Sequence, residues 1–340
     1  MKRPSVVCLG VHLLDVLVRP VPTQRLAAGV IQVDEVRLTA AGTAAGTAVD
    51  LAKLGVDTIA MGAVGEDALG DVVLALMGST GVDVSRLVRR STGPTRSSVL
   101  LVGPDGERHT CLFHPGVAGE LTETDVDFAA IAGADVLHVG GADVLGDFSR
   151  EPLGEIMAFA RKQGVTTTLD VLSSSCSPAT VEALAPVLGY TQYFFPNEHQ
   201  LAAMSGLGDC AAGAAFFRKL GVECVAVTLG DAGSLVVTSE AVTKIPPLQV
   251  DVVDTTGCGD AYAAGFIVGV THGWDTTSAG WLGSASSALV ASGLGSDAGI
   301  TSLEETLAFL AERAPAAVAD LARSFGRAAA RSDMQAPRGR

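Results

Sequence analysis

The sequence predicts an α/β protein: a three-layer α/β/α fold with a doubly wound, mostly parallel sheet and a small β-sheet lid. Two observations carry this. Short β-branched runs alternate with Ala/Leu-rich helical stretches along most of the chain, as parallel strands with helical crossovers require. Two further segments alternate polar and apolar residues and interrupt that rhythm, which suits a small sheet with one face exposed.

The strands expected from the first pattern are Ser5–Leu9, Thr58–Ala63, Val136–Val139, Thr166–Asp170, Tyr193–Phe195 and Cys224–Thr228. Helices fit at Thr47–Leu54, Leu69–Ser79, Glu151–Gln163, Pro178–Leu188 and Ala211–Leu220. The interrupting segments are Val30–Leu38 and Ser97–Phe113, the second folded about the turn Gly103-Pro104-Asp105-Gly106. They define lid segments at approximately 12–40 and 95–115; the alternative is that they extend the edge of the main sheet. Leu303–Phe325 reads as one or two helices. Residues 1–326 are expected to form one domain, and 327–340, rich in Arg, Ala, Ser and Pro, a disordered tail.

Composition narrows the function. With 37 acidic and 23 basic residues the net charge is −14, a field that repels phosphate backbones and argues against a nucleic-acid partner. No uninterrupted apolar run reaches about 18 residues, so no membrane span is expected. The N-terminal MKRPSVVCLG has too short an apolar stretch for a signal peptide and reads as a first strand. The cysteines at 8, 111, 176, 210, 224 and 258 form no Cys-x-x-Cys pair, so a zinc site is not expected. Dispersed cysteines in apolar settings point to the cytoplasm.

The sharpest chemical motif is Asp254-Thr255-Thr256-Gly257-Cys258-Gly259-Asp260, which follows the extended Leu248–Val253 and opens a small-residue helix at Ala261–Val270. A Gly-x-Gly turn at a helix start leaves several N–H groups pointing one way, and the helix dipole adds to their pull on an anion. A carboxylate beside such a hole suits phosphoryl transfer: Asp260 takes the acceptor's hydroxyl proton while the backbone holds the phosphoryl. The bare tetrapeptide Gly-x-Gly-Asp, taken alone, reads as a helix cap. No Walker A motif occurs, and no Gly-x-Gly-x-x-Gly follows the first strand, which removes the main support for P-loop and dinucleotide readings.

The thirteen residues Asp254–Phe266 closely resemble the C-terminal signature of the PfkB, or ribokinase-like, carbohydrate kinases, with Cys258 where Ala or Ser is usual. Gly10–Asp15 resembles the family's first-strand motif, whose terminal Asp binds sugar hydroxyls; a carboxylate accepts two such bonds. Asp15 could instead be a turn residue, and His12 reads as a packing or pocket-rim residue. Ala41–Gly55 is similar to the N-terminal signature, but Ala41 replaces its first Gly and Gly46 replaces its Asn. Gly62–Gly70 and Gly81–Val84 also fit family positions and read as structural turns. In His114-Pro115-Gly116-Val117-Ala118 the family's closing Asn is Ala118. Phe195-Pro196-Asn197-Glu198 resembles the Pro-Asn-Glu motif associated with magnesium and phosphate placement, with Gln200 in place of the usual following carboxylate.

The resemblance implies a kinase that uses ATP and Mg2+ on a small sugar-like acceptor. Asp260 would be the base, and the backbone of Gly257, Cys258 and Gly259 the anion hole. Asp15, Gly42, Thr43 and Gly46 would meet the acceptor. Asn197, Thr228, Gly230, Gly233, Gly259 and Ser284 would hold ATP. Glu198 would reach Mg2+ through water, and Asp254 with Thr256 would mark a site for K+. Pairing of lids across a homodimer is also implied. A nucleoside or vitamin-precursor acceptor stays open because Gly46 and Ala118 replace sugar-contacting Asn residues. A non-catalytic nucleotide-binding regulator is the remaining alternative, though it would have no need of Asp260.

Overall fold

The computed structural model describes residues 3–21, 30–103, 108–172 and 175–317. In chain order the elements are β1 (Ser5–Gly10), β2 (Leu13–Arg19), β3 (Glu35–Ala41), α1 (Thr43–Lys53), β4 (Asp57–Gly65), α2 (Ala68–Ser79), β5 (Asp83–Arg90), β6 (Ser97–Val102) and β7 (Arg108–His114). Next come α3 (Phe128–Gly133), β8 (Val136–Gly140), α4 (Glu151–Lys162), β9 (Thr166–Leu169), α5 (Pro178–Leu188), β10 (Tyr193–Phe194), α6 (Glu198–Ser205) and α7 (Cys210–Lys219). The chain continues through β11 (Cys224–Thr228), β12 (Ser234–Val237), β13 (Val242–Ile245), α8 (Cys258–Thr271), α9 (Thr276–Ala291) and α10 (Leu303–Arg313).

The large sheet runs β13-β12-β11-β10-β9-β8-β1-β4-β5. Strands β5 to β11 are parallel, and β12 and β13 close one edge as antiparallel hairpin partners. Alternate side chains of β1 go to opposite faces. Val6 and Cys8 join the core under α1, α2, α8, α9 and α10, while Val7 and Leu9 join the core under α3 to α7. Burial on both faces explains why β1 reads as a continuous apolar run. From β1 the chain winds out to β4 and β5 and later returns on the other side through β8 and β9. Strand order therefore reverses at β1/β8, where such sheets leave a crevice at the strand C-termini.

The second sheet is β3-β2-β6-β7. Its cross-strand row Thr39, Asp15, Ser98, Phe113 and the next row on that face, Arg37, Leu17, Leu100, Cys111, alternate with rows of the opposite face. Leu17, Leu100 and Val102 of this sheet pack on Leu294 and Val253, the residues that flank the α8 approach. The sheet thus stands over the loops that precede and follow α8 and α9.

Two expectations need correction. The strand expected at Val30–Leu38 is Glu35–Ala41, because its pairing partner β2 sets the register (Leu13 opposite Ala41, Arg19 opposite Glu35) and local alternation does not. The helix expected from Thr47 starts at Thr43, since Gly42 at φ 90° supplies the cap. The turn at Gly103–Gly106 lies largely, and the tail at 327–340 wholly, outside the described residues, as does the stretch of Leu303–Phe325 beyond Ala317.

Helices α8 and α9 are buried almost all round, which their Gly/Ala/Ser content permits. A Cβ on Gly265 would lie 2.6 Å from the Leu282 carbonyl oxygen, so glycine there lets the two backbones touch.

Candidate active site

The site is built on the N-terminus of α8. Gly257 caps the helix at φ 83°, ψ −2°, a left-handed conformation that glycine adopts without strain. A Cβ there would also stand 2.3 Å from Ser296 Cα, so the cap is seated on the loop after α9. Among the described residues the amides of Gly259 and Asp260 have no hydrogen-bond acceptor. Gly259 is exposed, and the space a Cβ would take beside it is open. Unpaired first-turn amides facing an open space form an anion cradle.

Asp254 holds this loop in shape. It is fully buried; its Oδ1 accepts from the Thr256 amide (3.0 Å) and hydroxyl (2.9 Å), and its Oδ2 accepts from the Gly295 amide (2.9 Å). The Cys258 thiol is pushed up to about 12, chiefly by burial, so it stays protonated and is no nucleophile at neutral pH.

Asp260 is 8% exposed. Burial, with a further push from the negative charge of Asp15, raises its carboxyl to about 7. A carboxyl poised there exchanges protons at physiological pH, as a general base should. Helix α1 packs against it: the Thr47 hydroxyl donates to the Asp260 carbonyl oxygen (3.3 Å), and Gly46 lies against the carboxylate itself.

The expected acceptor-side residues divide in two. Asp15, 6% exposed in the middle of the small sheet, acts electrostatically on Asp260, and Gly46 touches it. Gly42 and Thr43 support instead. Gly42 packs against the Val11 carbonyl, and the Thr43 hydroxyl is turned inward beside Gly141, shut from solvent and without a partner among the described residues. His12 is a core residue, fully buried, with Nδ1 3.0 Å from the Gly10 carbonyl oxygen and its titration lowered to about 4 by burial.

On the expected nucleotide side, Asn197 and Thr228 join through a parallel bridge, and the Thr228 amide donates to the Pro196 carbonyl (3.1 Å). The Gly230–Ala232 turn is exposed and closed by the Leu229 amide on the Gly233 carbonyl (2.8 Å). Ser284 is buried, its hydroxyl 3.4 Å from that of Ser234, which also receives the Tyr262 hydroxyl of α8 (3.2 Å). Asn197 and Gln200 form a reciprocal cap on α6: Asn197 Oδ1 accepts from the Gln200 amide and Gln200 Oε1 from the Asn197 amide. Gln200 Nε2 also donates to the Val171 carbonyl (2.9 Å), a bond a carboxylate in this place could not make. Gln200 is thus a structural tie between α6 and the loop after β9. Glu198 is half-buried at the first position of α6, and Asp231 lies in the exposed turn.

Sequence reasoning gave no role to three cleft residues. Asp170 follows β9 and is buried; burial first, then Asp260 and Asp143, push its carboxyl well above the usual range. Asp143 follows β8 and accepts from the Leu172 amide (2.7 Å). Arg96 precedes β6. The signal available for Asp170 was its place at a strand's C-terminal end, where open α/β sheets bind ligands.

A doubly wound sheet, a covering sheet and a helix-borne anion cradle beside a tuned carboxylate define a phosphotransferase of the ribokinase-like class. The profile of the pfkB family carbohydrate kinases matches residues 4–303, and the chain belongs to that family, whose members are ATP-dependent phosphotransferases acting on small sugar-like acceptors. An ATP-dependent ribose-1-phosphate kinase from Halopiger xanaduensis is 32% identical over 279 residues, covering 82% of this chain and 88% of that protein. The ribokinase of Arabidopsis thaliana complexed with ribose and ATP superposes with a TM-score of 0.76 at 24% identity, over 91% of this chain and 99% of that one. An Escherichia coli chain described as a ribokinase II, solved with ATP and Mg2+, superposes with a TM-score of 0.79 at 21% identity, over 92% and 100%. Among the described residues no helix is long and apolar enough to cross a membrane.

Proposed function

We propose that this kinase moves the γ-phosphoryl of ATP to an acceptor hydroxyl held between Asp15 and Asp260, with Asp260 as general base. The observation that carries this is a buried carboxyl raised to about 7 in the first turn of α8, beside amides of Gly259 and Asp260 that lack acceptors among the described residues. The acceptor's O–H proton passes to the Asp260 carboxylate as its oxygen bonds to Pγ. The bond from Pγ to the bridging oxygen breaks, and ADP leaves with that electron pair. The amides of Gly259 and Asp260 stabilise charge on the transferring phosphoryl, while that of Cys258, expected in the same hole, is turned to the Thr255 carbonyl (3.4 Å). Asn197, Thr228, Gly230, Gly233 and Ser284 mark the nucleotide side.

Glu198, a half-buried carboxylate at the start of α6, would reach a hard cation accompanying ATP through water. Mg2+, when bound with ATP, neutralises charge on the phosphates. A monovalent cation beside Asp254 and Thr256 belongs to the same reading, because the buried Asp254 carboxylate meets three neutral donors and no Lys or Arg among the described residues. The small sheet serves as a lid over the acceptor. On its face away from the cleft, Val36 (60% exposed), Leu38 (45%) and Leu112 (59%) form an apolar stripe, which suits pairing with the lid of a second copy. The buried free thiols of Cys8 and Cys224 suit a reducing cytoplasm.

The test is ATP consumption measured against sugars, nucleosides and sugar phosphates. At least one acceptor should raise turnover well above the acceptor-free rate. ATP binding with no stimulation by any of them would favour a nucleotide-sensing regulator.

A further inference from the structure

We propose that Arg96 makes this enzyme specific for acceptors carrying an anionic substituent, a phosphate ester or a carboxylate, an inference that rests on the acceptor site described above.

The backbone at Arg96 is fixed from three sides. Its carbonyl accepts from the Leu14 amide (3.1 Å), one residue before Asp15. The preceding Thr95 is fully buried, with its amide (2.8 Å) and hydroxyl (2.6 Å) both on the Asp67 carboxylate. Gly116 packs so closely that a Cβ there would lie 2.2 Å from the Arg96 nitrogen. Arg96 is thus presented from a rigid base, as a specificity residue needs to be.

Its guanidinium lies over the Phe113 ring, 5.4 Å from the centroid. Phe113 is 61% exposed and shares the cross-strand row of Asp15, so the stacked pair borders the acceptor side of the small sheet. The guanidinium is half-buried, and the acidic groups whose fields reach it are Asp143, Asp15 and the Cys111 thiol. Yet among the described residues no carboxylate stands within ion-pairing distance of it and no side-chain hydrogen bond holds it. Arg37, Arg86, Arg89 and Arg90, by contrast, each grip a carboxylate.

A partly desolvated guanidinium that stacks on an aromatic ring but meets no carboxylate among the described residues is costly, and an arriving anion removes that cost. The planar guanidinium fork matches a phosphate or carboxylate with two parallel N–H···O bonds, while the aromatic face holds the fork in place. A neutral polyol offers hydroxyls, which Asp15 and Asp260 already accept, and nothing that calls for a cation. The competing account is that Arg96 only offsets the charges of Asp15 and Asp143, in which case its loss would affect all acceptors alike.

The experiment uses pentoses and hexoses as free sugars, as their 1-phosphates and as their aldonic acids, with kcat/KM measured for each. The full chain should prefer an acidic member over its neutral parent, and which acid it prefers separates phosphate from carboxylate. Arg96→Gln should lower that acid-over-neutral ratio about 10–100-fold, the loss of one charge-assisted contact, and Arg96→Lys should recover part of it. A wild-type preference for neutral members, or a ratio unmoved by Arg96→Gln, overturns the proposal while leaving the kinase reading intact. Calorimetry on Asp260→Asn provides a readout without turnover. The same acids should bind it, and at least about tenfold more weakly once Arg96→Gln is added. Binding that ignores Arg96 also overturns the proposal; Arg96-dependent binding without turnover in the unaltered chain would sink only the kinase reading.

Discussion

Gly46 and Asp260 share one slot: a Cβ added to Gly46 would stand 2.3 Å from Asp260 Oδ2 and 3.0 Å from its Cβ. The glycine therefore sets where the Asp260 carboxylate stands. With this carboxylate in place there is no room for a side chain at position 46, where the signature that this segment resembles usually carries Asn. Gly46→Ala should displace the carboxylate by about 1 Å, a misplacement that costs about 10²-fold in rate. Steady-state kinetics should show the loss in kcat, with the circular dichroism spectrum unchanged.

With Asp260 as the proposed base, the ionised form would be the active one, so kcat/KM should rise with pH through about 7 and level off above it. Asp15 contributes to that raised value through its negative charge. Asp15→Asn should therefore shift the rising limb toward acid while raising the acceptor's KM more than that of ATP. A limb that stays in place would remove Asp15 from the neighbourhood of the base.

Asp50 on α1 is fully buried, and neither carboxylate oxygen has a partner among the described residues. Burial holds its carboxyl well above the usual range, against the pull of Lys53 and with a further push from Asp260 and Asp297. Below about pH 4 the group is protonated folded and unfolded alike and affects nothing. Above that, folding must take up a proton, and stability falls by up to about 1.4 kcal/mol per pH unit until the folded group ionises. Asp50→Asn should remove this slope and raise the Tm at pH 7 relative to wild type. Equal Tm differences at pH 4.5 and pH 7 would contradict it.

Asp297, in the loop after α9, pairs with Arg37 of the lid (2.9 Å) and Lys53 of α1 (3.6 Å). Partly exposed pairs contribute little to global stability, so Asp297→Ala should change the Tm little. Its effect should fall on closure: a higher acceptor KM and more ATP hydrolysed per acceptor phosphorylated, because a loosened cover admits water. Coupled assays of ADP and phosphorylated product measure that ratio.

The parallel sheet and the α8 cradle were legible because each rests on local patterns: β-branched runs, a Gly-x-Gly turn, and an Asp at a helix start. The small sheet was legible as two segments, but the place of β3 was not, since Glu35–Ala41 is selected by pairing with β2. Helix α9 shows little periodicity because it is buried on nearly all sides. Asp143 and Asp170 follow different strands and come near one another only where strand order reverses, and Arg96 comes within reach of Asp143's field only once the small sheet is in place, so no spacing announces them. Gln200 stood out in the sequence only as the replacement of a usual carboxylate; its donation to the Val171 carbonyl depends on the fold that brings the loop after β9 to α6.

The most direct test of Asp260 as the base is Asp260→Asn, with ATP binding measured by calorimetry and turnover measured at saturating acceptor. The account predicts near-normal ATP affinity and a turnover lower by about 10²–10⁴-fold, because the amide keeps the shape and cannot take the proton. Turnover above about a tenth of wild type would contradict the account, since a general base cannot be lost so cheaply.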